Sequence, residues 1–184
     1  MQVLFSLLLV LLVSCSESPP PYRSTMVPAV EWGKGFVLTA QDGKRFDTAS
    51  LNGKVQVLFF GFTHCPDICS PTLAKLVQVR KALGADASSV QVLFVTVDPE
   101  HDTPPQLRTF LGGFDPSFIG LTGSAAETQA VARDHKIFSQ AGKDSISHSG
   151  TLLAKDARGR VRLVMRESLS AQDLAHDLRL LLRE

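Results

Sequence analysis

The chain has 184 residues, 44% of them apolar and 20% charged, which is enough for one domain core of ordinary size with residues to spare for a leader. Nineteen Lys and Arg against eighteen Asp and Glu leave a formal charge of +1, and the basic residues are scattered. That pattern excludes the concentrated basic footprint of a nucleic-acid-binding surface.

Val3 to Val13 is apolar apart from Ser6. Eleven residues are too few to span a bilayer, which takes about 20, but they have the length of a signal-peptide core. The run ends in Leu12-Val13-Ser14-Cys15, a lipobox-like sequence, so residues 1–14 read as a lipoprotein signal peptide and Cys15 as the lipidated residue, although no Lys or Arg precedes the run. Residues 15–30, with Pro19-Pro20-Pro21 and Pro28, read as a stiff tether, and the domain is expected over 31–184.

Within the domain, Phe36–Ala40 and Lys44–Phe46 flank Asp42-Gly43, a dipeptide that tolerates the positive φ of a tight turn, so an N-terminal β-hairpin is predicted. Val55–Phe62 and Val90–Val97 are almost continuously apolar, as strands buried on both faces are. Between them Ser70-Pro71 reads as N-cap and first residue of a helix that runs to Gly84 with Leu73, Leu76 and Val77 on its apolar face. Pro104-Pro105 opens a second helix, Phe118–Leu121 is a short strand, and Ser124 with Glu127 forms a capping box for a helix to about Asp134. Thr151–Ala154 and Val161–Val164 are two more strands, and Leu174, Leu178 and Leu181 give the closing helix one stripe. The order ββ, βαβαβα, ββα predicts an α/β layer with a mixed central sheet and helices on both faces. His135 and His176, in charged helical surroundings, read as surface residues.

Gly61-Phe62-Thr63-His64-Cys65-Pro66-Asp67-Ile68-Cys69 delivers two cysteines from a strand end to a helix start. With Cys15 assigned to lipid, Cys65 and Cys69 are the remaining pair. A helix N-terminus stabilises thiolate over thiol, so both sulfurs are candidate nucleophiles and candidate metal ligands. A static disulfide across so short a loop would contribute only about 2 kcal/mol. Thioredoxin-type oxidoreductases carry a cis-proline opposite their cysteines, before a late strand. This chain has no proline after Pro116, and before Thr151–Ala154 it has Ser147-His148-Ser149 instead. Two thiolates and the His148 imidazole would suit Cu(I), hold Cu(II) with an added ligand, or take Zn(II) with a water. His64 reads as supporting or packing, Asp98 as orienting loops or turning the chain before Pro99, and His101 as a solvated loop residue.

The cysteine loop, Val95-Thr96-Val97-Asp98-Pro99-Glu100 with Asp102-Thr103-Pro104, Phe118-Ile119-Gly120-Leu121-Thr122-Gly123, and His148-Ser149, in that order, resemble the Sco/SenC proteins from about Gly35 to the C-terminus. The resemblance implies a thioredoxin-like fold and a copper-binding, membrane-tethered metallochaperone. Its partner would be the copper-bearing subunit of cytochrome c oxidase, whose binuclear copper centre it helps to assemble. A second copper chaperone or a thiol reductant would supply it, on the periplasmic face of a bacterial membrane. Carried over, the copper ligands are Cys65, Cys69 and His148. The alternative role in the family is that of an enzyme, a thiol:disulfide oxidoreductase acting on the oxidase cysteines through Cys65 and Cys69. Ser70 stands where the family commonly has proline, Ser147 where it has an acidic residue, and His101 where arginine is frequent.

Overall fold

The computed structural model describes residues 22–28, 32–141, 146–148 and 150–184, with 139–141 and 146–148 described by backbone alone. The signal peptide and Cys15 lie outside the described residues. In chain order the elements are β1 (Thr25–Met26), β2 (Val37–Ala40), β3 (Arg45–Asp47), β4 (Val55–Gly61), α1 (Cys69–Leu83), β5 (Val90–Thr96) and α2 (Pro104–Gly112). They continue with β6 (Ile119–Thr122), α3 (Ala125–Asp134), β7 (Ser139–Ala141), β8 (Ile146–His148), β9 (Leu152–Lys155), β10 (Val161–Met165) and α4 (Ala171–Leu181). One sheet has the order β1-β10-β9-β4-β5-β6-β2-β3, and β7 pairs with β8 separately. The β4–β5 and β5–β6 pairs are parallel and the rest antiparallel, so the expected mixed sheet is present.

The continuous apolar runs become the central strands because both of their faces are covered. Val57, Phe59, Val92 and Phe94 pack against Leu73 and Leu76 of α1, Leu107 of α2 and Leu178 of α4. Leu58, Phe60, Leu93 and Val95 face the other way, toward Leu38 of β2 and Val131 and Ala132 of α3. At the predicted hairpin turn Gly43 has φ 83°, a conformation costly for any residue with a Cβ. Ser124 and Glu127 form the predicted capping box, the Glu127 backbone N–H donating to Ser124 Oγ and the Ser124 N–H to Glu127 Oε2.

Three local readings are revised. Tyr22–Val27, read as tether, is docked on the domain: β1 pairs with β10, and the Arg23 and Ser24 N–H groups donate to the buried Asp177 carboxylate at 2.8 and 2.7 Å. A two-residue strand has no periodicity to read, so the prolines on either side dominated the composition. Helix α1 starts at Cys69, with Ile68 before it, so Ser70 is not the N-cap. Pro71 falls inside the first turn, where its missing N–H removes no helical hydrogen bond.

His135, expected at the surface, is 1% exposed, with its ring 5.3 Å from Phe36 and 5.6 Å from Phe60; His176 is half-buried. His135 Nδ1 lies 2.8 Å from the Val131 carbonyl and donates to it, which leaves Nε2 buried as a bare acceptor. Burial, reinforced by nearby Lys155, pushes its pKa down to about 4. The unfolded chain binds this proton below about 6.5 and the native chain only near 4, so the stability it contributes is lost on acidification through that window, up to roughly 3 kcal/mol. Denaturant titrations at pH 7 and pH 4.5 are expected to show that fall, and His135→Phe to flatten it.

Candidate metal centre

Strand β4 ends at Gly61 in register with Thr96 of β5, and the loop from Phe62 to Ile68 carries the chain over the sheet edge into α1. Because α1 begins at Cys69, that sulfur points back into the core with no exposed surface, whereas Cys65, on the loop, is half-buried. Both are thiols.

The two sulfurs are electrostatically unlike. Burial works against ionisation of Cys65, but backbone N–H groups of Asp67, Cys69 and Ile68 and the Cys69 thiol all donate toward its sulfur, and the net effect lowers its pKa. This curl of amides at a helix start is an anion-binding nest. Cys69 is shifted the other way, chiefly by burial and then by its hydrogen bond to Cys65. Cys65 is therefore the readier nucleophile of the pair, and Cys69 the sulfur that keeps its proton.

Gly61 makes room for this arrangement. A Cβ there would lie 2.8 Å from Cys69 Sγ and 3.0 Å from the Phe94 ring. Below the loop sits Asp102, whose carboxylate accepts from the Thr63 N–H, the Thr63 hydroxyl and the Thr96 hydroxyl. In the sequence Asp102 stands out only as part of the Asp102-Thr103-Pro104 motif. Thr103 is the N-cap of α2, and Asp102 turns inward with 0% exposure. Gly61 carries no local signal of its role, which comes from the approach of the Cys69 sulfur.

His148 lies in β8, paired with Ser139 across a ladder that the serine-rich sequence, lacking apolar alternation, did not reveal. Its side chain lies outside the described residues. The backbone that follows it is informative: a Cβ on Gly150 would lie 3.0 Å from Ile68 Cδ1 and 2.7 Å from Glu167 Oε2. Since β9 runs antiparallel to β4 with Phe59 opposite Leu152, the chain entering β9 and the chain leaving β4 meet at one sheet edge.

Other candidates are held elsewhere. His101 Nδ1 is 2.9 Å from Asp98 Oδ2 with the imidazole 69% exposed, and Asp98 raises its pKa. His64 Nδ1 is 3.0 Å from Thr63 Oγ1. Among the described residues no His, Cys, Asp or Glu completes a group of three at metal-binding spacing. His64 also lines a groove of about 420 Å³ with Thr63, Pro105, Gln106, Thr109 and Phe110 beside the loop.

A mixed sheet with helices on both faces and a dithiol at the start of α1, one sulfur acidified and one buried, defines a thioredoxin-like protein with a redox-competent or metal-binding Cys-x3-Cys loop. The SCO1/SenC family model matches residues 25–183, and the chain belongs to that family. It is 43% identical over 110 residues to the SCO1 homolog 1 of Arabidopsis thaliana mitochondria, a match covering 58% of this chain and 32% of that protein. The chain spans about a third to a half of the length of the curated relatives it matches first. Among solved structures, copper-bound ScoI of Bradyrhizobium japonicum is 35% identical with a TM-score of 0.74, covering 80% of this chain and 98% of that one. BsSco, described with a disulfide switch and as a member of the Sco family of cytochrome c oxidase assembly proteins, is 26% identical with a TM-score of 0.73, covering 87% and 97%.

Proposed function

We propose that this chain is a membrane-tethered copper metallochaperone that assists assembly of the binuclear copper centre of cytochrome c oxidase, with Cys65, Cys69 and His148 as ligands. The observation that carries the reading is the meeting of the Cys65–Cys69 loop with the segment just after His148, where Gly150 abuts Ile68. Two soft thiolates and an imidazole form a donor set suited to copper. Copper bound to ScoI of Bradyrhizobium japonicum, on the same fold, supports that choice of ion.

In this reading Cys65, already acidified, takes the ion first, Cys69 gives up its proton on ligation, and His148 closes the site. His148 comes from a separate hairpin, so it is the ligand that a partner's donor displaces first. Oxidation of the pair to a disulfide removes both thiolates and prevents loading, so the redox state gates capture. Cys15 carries the lipid, and the domain works on the periplasmic face of a bacterial membrane, facing the copper-bearing oxidase subunit and receiving copper or electrons from a second chaperone or a thiol reductant.

The unequal thiols also favour a second reading, a thiol:disulfide oxidoreductase. Cys65 would attack a partner's disulfide and Cys69 would resolve the mixed disulfide, passing two electrons to the partner and leaving Cys65–Cys69 oxidised. Copper titration of the reduced full chain decides between them. One ion per chain with a thiolate-to-Cu(II) band is expected, and His148→Ala should weaken Cu(II) binding by more than about a hundredfold, the upper end of what losing even a supporting partner costs. Unchanged binding in that variant with oxidase assembly intact would leave only the reductase.

A further inference from the structure

Asp102 is fully buried, and its partners are all uncharged donors. Thr63 N–H lies 3.1 Å from Oδ2, the Thr63 hydroxyl donates to Oδ1 at 2.6 Å, and the Thr96 hydroxyl donates to Oδ2 at 2.6 Å. Among the described residues no Lys, Arg or His forms an ion pair with it. Thr63 lies two residues before Cys65, and Thr96 ends β5. The Thr96 hydroxyl oxygen in turn accepts from the Asp98 N–H at 2.9 Å, and the Asp102 N–H donates to the Asp98 carbonyl at 2.9 Å. One carboxylate thus ties the chain leaving β4, two residues before Cys65, to the chain leaving β5.

A clamp alone does not need a charge. Burying an ion without a counter-ion is costly, and a neutral amide would avoid that cost. Thr96, which the carboxylate holds, lies opposite Gly61 in the β4–β5 ladder, and a Cβ on Gly61 would lie 2.8 Å from Cys69 Sγ, so the charge sits close to the buried sulfur. Two thiolates and a neutral imidazole around Cu(II) sum to zero, whereas around Cu(I) they sum to −1. A fixed carboxylate close to them therefore penalises the second state and leaves the first almost untouched.

We infer that Asp102 is a positioning residue of the copper site, holding Thr63 and hence Cys65 against β5, and that its buried negative charge biases the site toward Cu(II) over Cu(I). The inference rests on the copper reading above. It is tested by measuring Cu(II) and Cu(I) affinities separately, by chelator competition, in the wild-type chain, Asp102→Asn and Thr96→Val. In Asp102→Asn the ratio of Cu(II) to Cu(I) affinity is expected to fall at least about tenfold, a rise of about 59 mV in the one-electron potential. In Thr96→Val the charge stays and one strut is lost, so both affinities should fall together with the ratio held or raised.

A ratio in Asp102→Asn within about threefold of wild type, or equal loss of both affinities, overturns the inference. Should that variant not fold, Thr96→Val decides, because a tenfold fall of the ratio with the carboxylate intact overturns it as well. A wild-type chain with no thiolate-to-Cu(II) band removes the copper reading and this inference together. A normal band with an unchanged ratio in Asp102→Asn removes the inference alone.

Discussion

Cys69→Ser is expected to abolish copper retention while leaving the fold standing. The serine hydroxyl does not ionise at neutral pH and is a hard donor where a soft one is needed, so the ion would keep Cys65 and His148 alone. Loss of a thiolate from such a site should reduce Cu(I) affinity by more than about a thousandfold, equivalent to about 4 kcal/mol. The side chain is fully buried and the change nearly conserves volume but buries a more polar hydroxyl, so the apo-protein should lose about 1–3 kcal/mol. Competition against a Cu(I) chelator and thermal melts of the apo-chain measure the two effects separately. Retained affinity in a folded variant would mean that Cys69 is not a ligand. Cys65→Ser should be as damaging to binding and gentler on stability, because Cys65 is only half-buried.

Gly61→Ala should injure both fold and site. The added methyl would meet Cys69 Sγ at 2.8 Å and the Phe94 ring at 3.0 Å, both in the interior between β4, β5 and α1. Neither neighbour is the loose end of a flexible chain, so the overpacking is expected to cost about 1–3 kcal/mol of stability. The sulfur is the smaller of the two obstacles, and its displacement should lower copper affinity by at least about tenfold, since a site held to within about half an ångström tolerates little shift. Gly112→Ala is the control, since nothing lies within 4 Å of a Cβ at Gly112 and alanine favours its helix. A Gly61→Ala chain with wild-type melting and wild-type copper binding would show that the close approach of Gly61 to Cys69 has no consequence.

Much of the fold was legible because its signals are local. Val55–Gly61 and Val90–Thr96 are strands because uninterrupted apolar runs of that length must be covered on both faces, and Asp42-Gly43, Gly84 and Ser124 with Glu127 mark element ends through backbone chemistry within a few residues. The elements that were missed had no such local signal. Strand β1 is two residues long and exists only because β10 offers it a ladder, and β7 and β8 pair through a polar segment. His135 looked solvated because its neighbours Asp134 and Lys136 are charged, yet the end of α3 turns it under Phe36 and Phe60.

The sequence by itself determined which candidate donors are present: two cysteines one helical turn apart after a buried strand, and a histidine in place of a late proline. Residue type and spacing along the chain are enough for that. Only the tertiary structure decided that the two thiols are unequal, that Gly61 makes room for one of them, and that the buried Asp102 carboxylate ties Thr63, two residues before Cys65, to Thr96 of β5. Those properties depend on burial and on contacts between residues some 40 positions apart. They come from the parallel pairing of β4 with β5, which no short window of sequence contains.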